Sequence, residues 1–166
     1  MSSARAPYRV IFLCTGNICR SPAAENIFRA YARRAGILGA LEIDSAGTGD
    51  WHEGDPLDPR SADALREAGY AAEGVARGLR ASDLTRPHLF VCMDHTHRRA
   101  LMARGVDPQD IVLIRSFDHS RDDDEVPDPY YGGDEGFRAM ITMLEAAMEG
   151  LLTRVRADLE RAAEVK

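Results

Sequence analysis

The sequence is poor in cysteine and lysine, and it lacks any apolar run long enough to cross a membrane. Its three cysteines, Cys14, Cys19 and Cys92, are too few for the disulfide framework of a secreted domain, so we expect free thiols in a cytoplasmic protein. No apolar stretch approaches about 20 residues, and no hydrophobic signal region precedes the first predicted strand. We therefore expect neither secretion nor membrane attachment.

Lysine is so scarce that nearly all of the positive charge comes from arginine, since Lys166 is the only lysine. The formal net charge is -6, which argues against broad binding of nucleic acid. A protein of this charge that binds an anionic substrate must create positive potential locally. The length of 166 residues suits one domain with a substantial core and is short for two, so we predict a single domain over residues 1–166.

Four short apolar runs alternate with segments of helical periodicity. These runs are predicted strands: 8–13, 41–44, 88–93 and 111–114. Strands that alternate with helices pair in parallel through right-handed crossovers. We therefore predict an α/β fold with a flavodoxin-like, doubly wound sheet of four parallel strands and flanking helices. Its ligand site should lie at the carboxyl ends of the strands.

The helical segments are recognised by caps, stops and apolar spacing. Ser21 and Pro22 suit the N-cap and first position of a helix that Gly36 ends. A second helix is predicted over 58–69 and a third over 97–104. The last segment places nine apolar side chains on one helical face: Phe137, Met140, Ile141, Leu144, Met148, Leu151, Leu152, Val155 and Leu159.

The segment from Cys14 to Pro22, Cys-Thr-Gly-Asn-Ile-Cys-Arg-Ser-Pro, joins the first predicted strand to the first predicted helix. Such a junction directs free backbone N–H groups and the positive end of a helix dipole into the loop. That environment favours the thiolate of Cys14, which is the nucleophilic form of the side chain. Arg20 can bind a phosphate through two parallel hydrogen bonds. The nine residues therefore predict phosphoryl transfer on cysteine.

Two distant motifs connect this chemistry to a family. Cys-x5-Arg-Ser-Pro from Cys14 and Asp-Pro-Tyr-Tyr-Gly from Asp128 stand in the same order as in the low-molecular-weight protein tyrosine phosphatases, which this chain resembles. The resemblance includes shorter segments across the chain: 45–48, Trp51, 75–77 and 92–94. A composition rich in arginine and alanine indicates a bacterial, actinobacterial-like member.

The resemblance implies that the protein hydrolyses phosphotyrosine in proteins through a phosphocysteine intermediate. Cys14 would be the nucleophile, Arg20 would bind the phosphoryl oxygens, and Ser21 would donate a hydrogen bond to the Cys14 sulfur. Backbone N–H groups of the loop would hold the same oxygens: Thr15, Gly16, Asn17, Ile18, Cys19 and Arg20. Asn17 would also shape the loop, because asparagine tolerates a left-handed backbone.

Asp128 corresponds to the general acid of the family, which later acts as the base that activates water. Its place beside two aromatic residues predicts partial burial, which would keep the acid form populated near neutral pH. Trp51, Tyr130 and Tyr131, together with Ile18, would form the wall of the pocket around the substrate ring. This mechanism needs no metal and no cofactor.

The remaining cysteines have two different interpretations. Cys92 is predicted to be a small core residue. Cys19 is either a packing residue or a redox partner of Cys14, because five positions around a tight loop can bring two sulfurs within disulfide reach.

Several other polar residues are predicted to have no role in the site. The acidic run 122–125 lacks the spacing of a calcium loop, so we expect a solvated loop and no metal site. His95 and His97 lack metal-ligand spacing on one helical face, and we expect both at the surface. Gly74 stands where many members of the family carry a histidine that supports the loop asparagine. Either water or another side chain therefore supports Asn17, or the loop is looser than usual.

Three rival functions are disfavoured by single features. A thiol-dependent arsenate reductase needs two further cysteines, and only Cys92 lies downstream of the loop. A protein-arginine phosphatase of the same fold carries threonine where this chain has Ile18. A phosphopeptide-binding module without chemistry has no use for Asp128. We therefore expect tyrosine-phosphorylated proteins as partners, a cognate bacterial tyrosine kinase as a further partner, and a monomer or weak dimer.

Overall fold

The computed structural model describes residues 6–85 and 89–164, which contain one sheet of four parallel strands. The strands are β1 (Tyr8–Cys14), β2 (Leu41–Gly47), β3 (Leu89–Cys92) and β4 (Ile111–Leu113). Their order across the sheet is β2-β1-β3-β4, and every neighbouring pair is parallel. The predicted α/β fold with a flavodoxin-like sheet is therefore confirmed.

The strand ends differ from the prediction by one to three residues. β2 continues to Gly47, because Ser45, Ala46 and Gly47 keep pairing with the last three residues of β1. β3 ends at Cys92, one residue before the predicted end. The predicted start of that strand, His88, lies outside the described residues.

In the part of the chain that the structure describes, four α-helices connect or follow the strands. They are α1 (Arg20–Arg34), α2 (Pro59–Glu67), α3 (His95–Ala103) and α4 (Asp134–Glu164). Short 3-10 helices occupy Leu38–Ala40, Ala81–Leu84, Pro108–Asp110 and Ile114–Phe117. Gly36 follows α1 with φ +75°, a left-handed conformation that glycine adopts without steric cost, so the predicted stop is confirmed. Asp58 caps α2 by accepting a hydrogen bond from the Arg60 backbone N–H at 2.9 Å.

The core lies on both faces of β1. Val10 and Phe12 pack in one apolar cluster with residues of α1, α2 and α4, whereas Ile11 and Leu13 pack in a second cluster with Leu101 of α3. Alternate side chains of a strand point to opposite faces, so a central strand covered on both sides is apolar throughout. The predicted apolar face of α4 is confirmed, since eight of its nine residues are buried and Leu159 packs against them.

The sheet order places a ligand site beside the end of β1. β2 and β3 flank β1 on opposite sides, so the chain direction across the sheet reverses there, and such a switch point opens a crevice at the carboxyl ends of the strands. Cys14 is the last residue of β1, and Asp94 follows β3 at the same edge. Within the two described ranges, no helix is both long and apolar enough to span a bilayer.

Candidate active site

The loop from Cys14 to Arg20 encloses the sulfur of Cys14. This residue is 2% exposed, and its Sγ lies 2.9 Å from the Ser21 hydroxyl oxygen. The backbone N–H of Asn17 donates to the same sulfur at 3.3 Å. Hydrogen-bond donors directed at sulfur stabilise its thiolate form, which is the nucleophilic and leaving form.

Ser21 serves the loop rather than the helix end. The helix begins at Arg20, with Cys19 in the N-cap position, and no side chain caps it. The prediction of Ser21 as the N-cap is therefore wrong. Because the helix starts two residues earlier than its capping signal indicates, the Ser21 hydroxyl turns inward and contacts Cys14 and Asn17 instead of a backbone N–H.

Asn17 gives the loop its curvature. Its φ is +58°, and among the described residues it is the one non-glycine residue with a positive φ. The side-chain amide donates to the hydroxyls of Ser21 at 2.8 Å and Ser45 at 3.0 Å, and its oxygen accepts from the Arg77 N–H at 3.0 Å. These three contacts support Asn17 in the absence of a side chain at Gly74, whose φ of +132° suits glycine.

Arg20 is buried, and two acceptors hold one nitrogen of its guanidinium. Its NH1 group donates to the Asp94 carboxylate at 2.8 Å and to the Val126 carbonyl at 3.0 Å. Its NH2 group lies 3.4 Å from the Thr15 hydroxyl and 3.7 Å from the Asp128 carboxylate. Burial raises the pKa of Asp94, but the hydrogen bond from Arg20 and nearby positive charge outweigh this effect. The net result is a pKa below the ordinary value. Asp94 therefore remains a carboxylate that fixes the guanidinium.

His97 lies inside the protein, so its predicted surface position is wrong. Its side chain is fully buried, and its Nε2 lies 3.0 Å from the Thr15 hydroxyl. The helix α3 starts at His95, two residues before the predicted start, so His97 is its third residue and accepts a hydrogen bond from the backbone N–H of the N-cap, Asp94. His95 is partly exposed, as expected.

Asp128 stands on the rim of the site. One carboxylate oxygen accepts from the Tyr130 backbone N–H at 3.0 Å, and the other faces Arg20. The side chain is 43% exposed, so the protein covers it only in part. The rings of Tyr130 and Tyr131 contact each other edge to face, 5.0 Å between centroids.

A cavity of about 360 Å³ opens between these groups. It is lined by ten of the predicted site residues: Cys14, Thr15, Gly16, Ile18, Cys19, Arg20, Trp51, Asp128, Tyr130 and Tyr131. Asn17 and Ser21 do not line the cavity but contact the Cys14 sulfur, which does. Trp51 and Tyr131 are 72% and 91% exposed, so they stand at the entrance.

The other two cysteines are buried thiols. Burial is the main cause that raises the pKa of both Cys19 and Cys92. Cys92 is fully buried in β3, so its predicted place in the core is confirmed.

The acidic run near residue 122 is solvated, as expected. Asp122 is exposed and pairs with Arg115 at 2.9 Å. Within residues 6–85 and 89–164, no group of three or more histidine, cysteine or acidic side chains has the arrangement of a metal site.

Sequence reasoning assigned no role to several residues that shape the cavity. His52 lies beside Gly16, and its ring nitrogen contacts Asp55 at 3.3 Å. Arg60 donates to the Gly132 carbonyl at 3.3 Å and stacks over the rings of Tyr130 and Phe137. Asp94 had two usable signals, its place directly after a predicted strand and its membership of segment 92–94, which resembles the family.

Comparisons with known proteins agree with this geometry. The family model described as low molecular weight phosphotyrosine protein phosphatase matches residues 9–161. The chain belongs to the low-molecular-weight protein tyrosine phosphatase family. A low molecular weight protein-tyrosine-phosphatase of Streptomyces coelicolor is 47% identical over 158 residues, covering 92% of this chain and 96% of that protein.

Two further relatives extend the comparison. The low molecular weight protein-tyrosine phosphatase A of Mycobacterium tuberculosis is 40% identical over 160 residues, covering 93% of this chain and 96% of that protein. A crystal structure of a protein tyrosine phosphatase from Entamoeba histolytica superposes with a TM-score of 0.87 at 33% identity, covering 91% of this chain and 98% of that one. The protein is thus a phosphatase that hydrolyses phosphotyrosine in proteins, as the two motifs predicted.

Proposed function

We propose that Cys14, Arg20 and Asp128 carry out this hydrolysis in the cavity that they line. The observation that carries the proposal is the contact of 2.9 Å between the Cys14 sulfur and the Ser21 hydroxyl. In the same site, the Arg20 guanidinium lies 3.7 Å from the Asp128 carboxylate. A nucleophile, a phosphate clamp and an acid thus meet within one cavity. That is the set of groups that phosphoryl transfer to cysteine requires.

In the first step the Cys14 thiolate attacks phosphorus, and the bond from phosphorus to the tyrosine oxygen breaks. Asp128 gives its proton to the departing phenolate oxygen. Arg20 and the loop N–H groups hold the three equatorial oxygens, whose negative charge persists through a loose transition state. The products are tyrosine and a phosphocysteine.

In the second step water attacks the phosphocysteine. The Asp128 carboxylate takes a proton from this water, the sulfur–phosphorus bond breaks, and phosphate leaves. Cys14 departs as a thiolate, which the hydrogen bonds from Ser21 and the Asn17 N–H stabilise.

The substrate ring would pack against the apolar parts of the cavity. Ile18 forms the buried wall, and Trp51, Tyr130 and Tyr131 stand around the entrance. Aromatic side chains at an entrance can stack on a phenyl ring while the phosphoryl group reaches the loop.

Replacement of the nucleophile tests the proposal. Cys14→Ser should abolish turnover of a phosphotyrosine peptide, but it should still bind orthovanadate because Arg20 and the loop N–H groups remain. The control is Cys92→Ser, which changes a buried thiol in β3 away from the cavity. Asn17→Ser would be unsuitable as a control, because Asn17 lies in the loop. Turnover by the Cys14→Ser variant above a trace of the wild-type rate would exclude Cys14 as the nucleophile.

Replacement of Asp128 separates catalysis from binding. General acid assistance is worth about 10²–10⁴-fold, so Asp128→Ala should lose about that much in kcat/KM for phosphotyrosine. An aryl phosphate with a good leaving group should lose less, because its phenolate departs without a proton. Equal losses for both substrates would make Asp128 a structural residue.

Cys19 is proposed as the redox partner of Cys14. Peroxide would convert the Cys14 thiolate to a sulfenic acid and release hydroxide, and the Cys19 thiol would then form a disulfide with release of water. Both cysteines are reduced in the structure and line the same cavity. The raised pKa of the buried Cys19 thiol makes it a slow attacking group at neutral pH.

Reversibility measures this redox role. Wild-type enzyme treated with mild peroxide should regain its activity on reduction. The Cys19→Ser variant should lose its activity irreversibly under the same treatment. Mass spectrometry that finds only sulfinic or sulfonic Cys14 in the wild type would exclude the disulfide.

The proposed cellular setting follows from the same features. Free thiols suit a cytoplasmic protein, and the family match over residues 9–161 supports one domain that spans 1–166. Its partners would be proteins phosphorylated on tyrosine and the bacterial kinase that modifies them. Sedimentation analysis would determine whether the protein is a monomer or a weak dimer.

A further inference from the structure

His97 is a buried, neutral histidine that the proposed mechanism does not use. Its Nδ1 accepts a hydrogen bond from the Asp94 backbone N–H at 3.1 Å. The Asp94 Oδ1 atom, 3.3 Å from Nδ1, already accepts from the backbone N–H groups of Thr96 and His97. The Asp94 N–H would lose its acceptor if Nδ1 carried the proton, so we assign the hydrogen of the neutral ring to Nε2. Burial lowers the pKa of His97 to about 4, which keeps the ring neutral at physiological pH.

The Nε2–H group of His97 must therefore donate to the Thr15 hydroxyl, which lies 3.0 Å away. The same oxygen also accepts from the NH2 group of Arg20 at 3.4 Å. A hydroxyl has two lone pairs and one hydrogen. Because His97 and Arg20 each donate to one lone pair of the Thr15 hydroxyl oxygen, that hydroxyl can form a further hydrogen bond only as a donor.

Thr15 lines the cavity, and its hydroxyl lies 3.4 Å from the Arg20 NH2 group, the nitrogen that is 3.7 Å from the Asp128 carboxylate of the same cavity. Its hydroxyl hydrogen is therefore available to an anion that occupies the cradle. Its backbone carbonyl is directed elsewhere, since it accepts from the Gly49 N–H at 3.0 Å.

We propose that the Thr15 hydroxyl donates a hydrogen bond to the bound phosphoryl group, in addition to the backbone N–H groups of the loop. In this arrangement Thr15 is a catalytic residue, because it touches the reacting group. His97 is a positioning residue that prevents the hydroxyl from turning away. The inference rests on the proposed function of the cavity and adds a side-chain donor to it.

Removal of the hydroxyl tests the first part. A hydrogen bond to a charged group is worth roughly 10- to 100-fold in binding. Thr15→Val, which keeps the shape of the side chain, should weaken orthovanadate inhibition and lower kcat/KM by about that factor. Thr15→Ser, which keeps the hydroxyl, should stay within about threefold of wild type.

Replacement of the histidine tests the positioning role. His97→Asn keeps an oxygen that can accept from the Asp94 N–H, but it removes the donor to Thr15. It should weaken orthovanadate less than Thr15→Val does, and it should cost nothing further in the Thr15→Val background. His95→Asn, a partly exposed position on the same helix, is the matched control and should leave inhibition unchanged.

Three outcomes would overturn the inference. If Thr15→Val is inhibited by orthovanadate as strongly as the wild type, the Thr15 hydroxyl is not a donor to the anion. If His97→Asn weakens inhibition equally in the wild-type and Thr15→Val backgrounds, His97 has only a structural role. Nitrogen-15 NMR of the imidazole showing hydrogen on Nδ1 at pH 7 would reverse the direction of the bond. Failure of the proposed function itself is distinguishable, since then Cys14→Ser would remain active whatever Thr15→Val does.

Discussion

The side-chain oxygen of Asn17 accepts a hydrogen bond from the backbone N–H of Arg77 at 3.0 Å. This contact fixes the orientation of the amide, so both hydrogens of its nitrogen point to the hydroxyls of Ser21 and Ser45. The Ser21 oxygen then already has a donor, and its own hydrogen is free for the Cys14 sulfur 2.9 Å away. A backbone group 60 positions along the chain thereby determines which hydrogen the nucleophile receives.

Two substitutions at Asn17 should separate its backbone role from its side-chain role. Both Asn17→Gly and Asn17→Ala remove the three side-chain contacts. Glycine tolerates φ +58°, whereas alanine keeps a Cβ in a left-handed backbone, which costs about 1–2 kcal/mol relative to glycine. Both variants should lose activity, and the alanine variant should also be less stable than the glycine variant by about 1 kcal/mol. Urea unfolding and kcat/KM measure the two effects. Equal stability of the variants would show that the loop relaxes to a different conformation.

Arg60 should hold the loop that carries the proposed acid. Its guanidinium donates to the Gly132 carbonyl at 3.3 Å and lies 5.5 Å from the centre of the Tyr130 ring. Arg60→Gln should lower kcat/KM for phosphotyrosine by about 2- to 10-fold, the range of one cation–π contact. The loss should be smaller for an aryl phosphate with a good leaving group, since such a substrate depends less on the proposed acid.

The matched control for Arg60 is Arg66→Gln on the same helix, where Arg66 pairs with Asp63 at the surface. It should leave both substrates unaffected. A similar loss for good and poor leaving groups in Arg60→Gln would show that Arg60 supports the whole cavity and not the acid loop.

Asp83 should make the stability of the protein depend on acid pH. Its buried carboxylate accepts from Arg77 at 2.7 Å and from Arg9 at 3.0 Å. Burial raises its pKa, but these hydrogen bonds and one from the Arg80 N–H lower it more, to about 2. The folded pKa lies below the unfolded value, so the stabilisation is complete above about pH 4 and is lost as pH falls toward 2.

The measurement is the free energy of unfolding of wild type and Asp83→Asn at several pH values. The advantage of the wild type should shrink by about 2 kcal/mol between pH 5 and pH 2. Asp63→Asn, at an exposed position, should show no such trend. A constant difference between wild type and Asp83→Asn would mean that the carboxylate is not held in its charged form by the two arginines.

Ile18 should favour tyrosine over arginine as the phosphorylated side chain. It is a buried apolar wall of the cavity, suited to a ring and unable to hydrogen-bond a guanidinium. Ile18→Thr should raise the ratio of phosphoarginine to phosphotyrosine turnover, whereas Ile18→Val, which stays apolar, should leave it unchanged. If the ratio does not move, selectivity resides at the entrance, where Trp51 and Tyr131 stand.

The sequence predicted what local signals encode. The apolar run of β1, the stop at Gly36 and the apolar face of α4 each depend on residues close together in the chain, so the fold followed from them. The loop from Cys14 to Arg20 was likewise readable, because its residue types and spacing are contiguous.

Contacts between distant segments were not readable. His97 meets Thr15 across 82 positions, and its burial depends on where α3 begins, which capping residues indicate only approximately. Ser21 carried two signals, a cap and a partner for sulfur, and the packing of the loop decided between them. The exposure of Asp128 depends on a loop held by Arg60, which no local pattern indicates.

The order of the site groups along the chain has a consequence for synthesis on the ribosome. The sulfur and the phosphate cradle are made first, within the first 20 residues, whereas the Val126 carbonyl that holds Arg20 and the acid Asp128 come more than 100 residues later. The helix α4, which completes one side of the core, comes last. A nascent chain would therefore carry its nucleophile long before it could turn over substrate, so the onset of catalysis reports that the final third of the protein has docked.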